Sequence, residues 1–156
     1  MKLITVWKIF PAVIINSKPN ISASGTTNGF LIRLKEQKPE DMALTLSHEL
    51  IHVKQFYVLA LYILGCMTLA SVFSTWYLTL IIPAVLWWIS SYAIFIRESA
   101  AYAESARCYV ARGENENVII NKLAAVLDNS SLYSENKTFD EIKAQIYKRY
   151  KDKHIF

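Results

Sequence analysis

Residues 56–96 contain no charged side chain, and Lys54 and Arg97 close the stretch on either side. As one helix it would extend roughly 60 Å, about twice the hydrocarbon core of a bilayer. Two arms of about 17–20 residues would fit that core. The pattern therefore predicts a two-helix transmembrane hairpin, with arms at 56–73 and 76–96 and a turn at Ser71, Ser74 and Thr75. Pro83 falls inside the second arm, where neighbouring helices can cover the carbonyl it frees. A domain this small cannot enclose two helices that are apolar all round, which disfavours a buried soluble pair.

The N-terminal pattern is different. Residues 3–16 are rich in β-branched and aromatic side chains, with Pro11 as a break, and read as one strand or two short ones. Lys8 interrupts this run, and the piece from Ile9 to Ile15 is short for the core of a cleaved signal. Ser17 to Asn28 is turn chemistry. A further strand follows at 30–34, with Phe30, Ile32 and Leu34 on one face and Leu31 and Arg33 on the other. Pro39, Glu40 and Asp41 open a helix, because acids suit the positive end of its dipole. No Gly or Pro interrupts it between Asp41 and Gly65. Beyond Arg97 a helix runs to about Arg112 and closes at Gly113. A short amphipathic helix spans 118–127. Thr138-Phe139-Asp140-Glu141 is a capping box that starts a last, lysine-rich helix through Tyr150.

Charge and cysteine content narrow the classes. The 156-residue chain carries a net +4 with no basic run, which argues against nucleic acid as a partner. Basic residues lie on both flanks of the hairpin and none between its arms. The termini and any site beside them are thus expected on the cytoplasmic side of the membrane. Two cysteines, Cys66 and Cys108, make no disulfide framework. The Asn-x-Ser/Thr triplets at Asn20, Asn129 and Asn136 read as chance on such a face.

The chemistry sits just before the apolar stretch, in His48-Glu49-Leu50-Ile51-His52. On a helix, residues four apart share a face, so His48 and His52 can bind one zinc ion. Glu49 projects beside them, able to reach a metal-bound water without ligating the metal. Zinc needs a third protein ligand, and His154, the remaining histidine, lies in the tail. Glu98, Glu104 and Cys108 are the candidates. In an antiparallel hairpin, Glu98 level with the histidine pair puts the turn centre at Ser74. Glu104 would move that centre to Tyr77 and Cys108 to Thr79, inside an apolar arm. Six helical residues rotate by about 600°, so Glu98 and Glu104 point about 120° apart and cannot both face one ion. Glu98 is favoured, with Glu104 left open. Gln55 lies one turn beyond His52 and can support a ligand.

HExxH with a downstream Glu98-Ser99-Ala100-Ala101-Tyr102 resembles the gluzincin pattern. His48-Glu49-Leu50-Ile51-His52-Val53-Lys54-Gln55 is also similar to small bacterial and phage-encoded metallopeptidase-type proteins with an HELxHxxQ signature. The resemblance covers 26–102, and the apolar hairpin between the two motifs departs from the usual soluble arrangement. It implies a zinc metallopeptidase in which His48, His52 and Glu98 hold Zn²⁺ and Glu49 is the general base for a zinc-activated water. Tyr102, one turn after Glu98, would donate to the oxyanion or brace the ligand, or simply pack. A strand at 29–34 would offer an edge to an extended substrate peptide.

The expected fold is α+β: a small N-terminal β-sheet packed on a helical HExxH core, as one domain over 1–156. The transmembrane hairpin at about 56–96 is inserted between the HExxH helix and the third-ligand helix. The expected partners are a peptide or protein substrate and the lipid bilayer. Two other readings remain: a membrane-anchored interaction protein with a structural or inactive HExxH site, and a zinc hydrolase of a non-peptide substrate.

Overall fold

The computed structural model describes residues 2–17, 24–73, 75–129 and 137–152. His154, Ser74 and the triplets at Asn20 and Asn136 lie outside them. Four strands come first: β1 (Lys2–Val6), β2 (Phe10–Asn16), β3 (Gly25–Asn28) and β4 (Leu31–Leu34). They form one sheet in the order β1-β2-β4-β3. Five helices follow: α1 (Pro39–Val72), α2 (Ile81–Ile89), α3 (Ser91–Ala111), α4 (Glu116–Asp128) and α5 (Phe139–Lys151), with a 3₁₀ turn at Thr75–Leu80 before α2. The chain is thus α+β, with a small N-terminal sheet and a mostly helical remainder.

The break in the first strand run falls at residues 7–9, not at Pro11. Pro11 pairs with Thr5 and precedes the β2–β4 register, which begins at Val13, so its missing N–H removes no bond from that ladder. The segment read as turn chemistry ends in a strand of its own. Gly29 takes φ +63° as the first residue of a two-residue turn, and Asn28 pairs with Leu31 across it. Phe30 consequently sits in the turn and is exposed, whereas Ile32 and Leu34 point inward and are buried. β4 is interior to the sheet, so the edge on that side is β3 and not the strand at 29–34.

Helix α1 organises the rest. Pro39 opens it and Glu40 and Asp41 occupy its first turn. Met42, Leu46, Leu50, Val53 and Tyr57 recur at helical spacing and pack under the sheet against Val6, Ala12, Ile14, Ile32 and Leu34. Ile51, on another face, packs against Ala100 and Ala101 of α3. Those alanines let α3 approach closely, and α4 and α5 cover its far side through Ile119, Ile120, Leu127, Ile142 and Ile146. Thr138 and Glu141 form both halves of the capping box that starts α5.

The apolar stretch differs from a pair of straight arms. The outgoing arm is the second half of α1, which runs unbroken through Gly65 to Val72. It is the one single helix among the described residues that is long and apolar enough to cross a membrane. The return arm is broken. Its first part is the 3₁₀ turn, and Pro83 falls in the first turn of the short α2, where a missing N–H matters least. Ser90 then takes an extended conformation, and its side chain accepts from the Ala93 N–H to cap α3. The axes of α2 and α3 meet at 66° there. A serine that caps a new helix ends the old one, and sequence periodicity does not distinguish it from a serine inside an apolar helix.

A candidate metal centre between two helices

His48 and His52 project from one face of α1 toward α3, as four-residue spacing dictates. Glu98 meets them from α3. Its Oε2 lies 3.6 Å from His48 Nε2 and its Oε1 3.5 Å from His52 Nε2. These separations exceed the roughly 2.7–3.2 Å of a good N–H···O hydrogen bond. They match donor spacing in a tetrahedral zinc site, where metal–ligand bonds of about 2.0–2.2 Å set neighbouring donors about 3.3–3.5 Å apart. One donor atom from each of the three residues fits within 4.8 Å of the others. Two imidazoles and a carboxylate are also a donor set that zinc accepts.

The outer hydrogen bonds leave the inner nitrogens to the site. Gln55 Nε2 donates to the Arg97 carbonyl at 3.2 Å, which orients the amide. Gln55 Oε1 therefore accepts from His52 Nδ1–H at 3.0 Å, which leaves His52 Nε2 as the nitrogen that faces Glu98. Ser105 does the same for His48. Its hydroxyl donates to the Ala101 carbonyl at 3.2 Å, so its oxygen accepts from His48 Nδ1–H at 3.3 Å. Sequence reasoning missed Ser105, although a signal exists. It lies seven residues after Glu98, two helical turns on, and so shares its face.

The electrostatics favour a cation. Burial opposes the Glu98 carboxylate, but the two imidazoles outweigh it and hold its pKa down to about 2. Burial likewise opposes a charge on His52. Glu98, the Glu49 charge and the Gln55 hydrogen bond outweigh that, and the His52 pKa is raised.

Glu49 stands beside the three donors without joining them. It is 7% exposed, and its Oε2 accepts from the Thr27 hydroxyl at 2.6 Å. Strand β3 passes so close that a Cβ on Gly25 would lie 3.0 Å from Glu49 Oε1 and 2.6 Å from Thr45 Cγ2. Glycine is what lets this strand pass. Neither Thr27 nor Gly25 was legible as a site residue, because their role depends on where β3 pairs.

The other candidates lie elsewhere. Glu104 bonds Arg107 at 2.9 Å. Cys108 Sγ lies 3.4 Å from the Ser47 hydroxyl. The Tyr102 ring meets His48 edge to face at 4.8 Å between centroids and packs on the α3–α5 core, a bracing contact. A cleft of about 750 Å³ opens over the site, with Gly25, Thr27 and Gly29 on the sheet side and Trp88, Arg97 and Tyr102 on the helical side. Gln55→Ala is expected to lower zinc affinity about 10–100-fold by freeing His52 to rotate, read by competition with a chelating dye. Comparison with protein-family models, curated proteins and solved structures finds no match to this chain.

Proposed function

We propose that the chain is a membrane-bound zinc metallopeptidase with its site on the cytoplasmic side. The observation that carries the reading is the convergence of His48 Nε2, His52 Nε2 and a Glu98 carboxylate at metal-ligand spacing, with the buried carboxylate of Glu49 beside them. His48, His52 and Glu98 would hold the zinc. When bound, the ion supplies Lewis acidity and brings the pKa of a bound water toward about 7. Glu49 would take a proton from the attacking water and pass it to the leaving amine. Thr27 holds one Glu49 oxygen, so the carboxylate keeps one orientation through both transfers. Tyr102 packs edge to face on the His48 ring from the cleft wall, which supports a bracing role, and it would be the donor to the carbonyl oxygen under attack.

The shape of the cleft supports a peptide over a small substrate. Its sheet side is β3, an edge strand, which an extended chain can join through backbone hydrogen bonds.

Membrane attachment rests on the second half of α1. Only 11% of its apolar window is buried, unlike the core helix of a soluble domain. A return through the apolar 3₁₀ turn and α2, which buries none of its residues, would complete a crossing pair. With such a return both flanks would stay on one side, and their basic residues favour the cytoplasm as that side.

The test is digestion of a peptide library by the purified, zinc-loaded protein in detergent, with cleavage sites read by mass spectrometry. Chelator-sensitive cleavage absent from Glu49→Gln is the expected result. A zinc-loaded chain that cuts no peptide would overturn the peptidase reading.

A further inference from the structure

The parallel pairing of β2 with β4 sets Val13 beside Leu31, so the turn before β2 and the turn before β4 project from the same end of the sheet. That end carries apolar residues in the open: Ile9 is 75% exposed, Phe30 50% and Trp7 39%. Trp7 touches the Phe10 ring edge to face at 6.0 Å, whereas Ile9 and Phe30 lie outside the sheet's core cluster. The first turn is also strained, because Trp7 and Lys8 take φ +50° and +63°, which a bulky side chain rarely adopts. Asn and Gly would relieve that strain. This turn instead keeps an aromatic ring and an amine at its tip.

Three contacts fix the level of these turns along α1. The Phe10 ring stacks on Tyr57 at 4.6 Å, and the Tyr57 hydroxyl donates to the Pro11 carbonyl at 2.6 Å. A Cβ on Gly29 would meet the Phe56 ring at 3.4 Å. Both turns therefore lie where α1 begins its uncharged run at Phe56. The helical side reaches the same level. Helices α1 and α3 run antiparallel, with Ser47 against Cys108, His48 against Ser105 and Gln55 against the Arg97 carbonyl. Continuing that register sets Tyr92 within about a turn of Tyr57. Tyr92 is 57% exposed, and Lys137 lies over its ring at 5.8 Å. Both line a shallow groove of about 340 Å³ with Lys148. Arg97 stacks on Trp88 at 4.1 Å at the adjoining end of the cleft. Tryptophan, tyrosine and snorkelling basic side chains around an apolar segment are what a headgroup layer accommodates.

We infer that Trp7, Ile9 and Phe30 on the two turns, with Tyr92 and Lys137 across from them, form a collar seated in the headgroup layer of the bilayer. The collar rests on the membrane part of the proposed function alone, and the substrate drawn from it rests on the peptidase part as well. The collar is peripheral to the hairpin and adds a second, orienting contact. It holds the Phe56, Trp88 and Arg97 end of the cleft at the bilayer surface. The histidine pair, centred about seven residues before Tyr57, then stands about 10 Å above that surface. About three extended residues cover that distance. The favoured substrate is accordingly a polypeptide segment just emerging from the membrane.

Nitroxide labels report depth directly. Ile9→Cys, Leu64→Cys and Lys35→Cys are labelled singly in a chain with Cys66 and Cys108 replaced by alanine. Each is reconstituted into vesicles of phosphatidylcholine and phosphatidylglycerol. Lys35 follows β4 at the opposite end of the sheet and is exposed. Leu64, on the outgoing arm, should favour oxygen over a water-soluble nickel chelate as relaxing agent, and Lys35 should favour nickel. Ile9 should show an oxygen-to-nickel ratio several-fold above Lys35. An Ile9 label as aqueous as Lys35, with Leu64 in lipid, overturns the collar and leaves the hairpin standing. Three aqueous labels overturn both. Dipolar broadening at Ile9 would assign the turn to contact with a second copy and would also overturn the collar.

Discussion

Glu98→Ala is expected to strip zinc from the chain while leaving it folded. Glu98 is the acid that faces both Nε2 atoms, and its loss leaves two imidazoles where a tetrahedral ion needs three protein donors and a water. The fall in affinity should exceed the roughly 10–100-fold produced by losing an outer hydrogen-bond partner. Equilibrium dialysis followed by elemental analysis reads it, and circular dichroism checks that the helices persist. Glu104→Ala is the control. Glu104 is paired with Arg107 on a partly exposed surface, a contact that contributes about 1 kcal/mol or less, so its loss should leave zinc content unchanged. If Glu104→Ala lost zinc and Glu98→Ala kept it, the ligand set would be wrong.

The second large effect is expected at Glu49. Glu49→Gln should keep a full complement of zinc and lose peptide cleavage by about 10²–10⁴-fold, the range associated with a positioned general base. Glutamine preserves the shape, and its amide oxygen can still accept from the Thr27 hydroxyl, so position is retained while basicity is removed. The measurement pairs zinc content with initial cleavage rates on one preparation. Wild-type turnover in this variant would remove Glu49 from the chemistry. Loss of zinc would make it a ligand instead of a base.

Local periodicity accounts for most of what the sequence revealed. The start of α1 follows from Pro39, Glu40 and Asp41, the start of α5 from its capping box, and the shared face of His48 and His52 from their spacing. Glu98 was legible for a less local reason: a chain that folds back near Ser74 brings it level with the histidine pair. Glu98 is the acid found facing both histidines. The connection itself was not legible. Ser90 caps α3 and ends α2, and the segment before Pro83 tightens to a 3₁₀ turn, so one expected arm becomes three pieces. Strand β3 was also hidden, because Gly25, Thr26 and Thr27 carry no apolar alternation and pair only once β4 is in place. With it went Thr27 and Gly25, which hold and admit Glu49. Ser105 was hidden for want of chemistry of its own, since a serine in a helix ordinarily bonds its own backbone, as this one also does.

X-ray absorption at the zinc edge of the loaded wild-type protein probes the donor triad most directly. It should give nitrogen and oxygen neighbours near 2.0 Å, with the outer-ring scattering of two imidazoles, a signal that His48→Ala should lose together with the bound zinc. A spectrum with no imidazole scattering, or one that His48→Ala leaves unchanged, would mean that the ion binds elsewhere and that the meeting of α1 and α3 is packing alone.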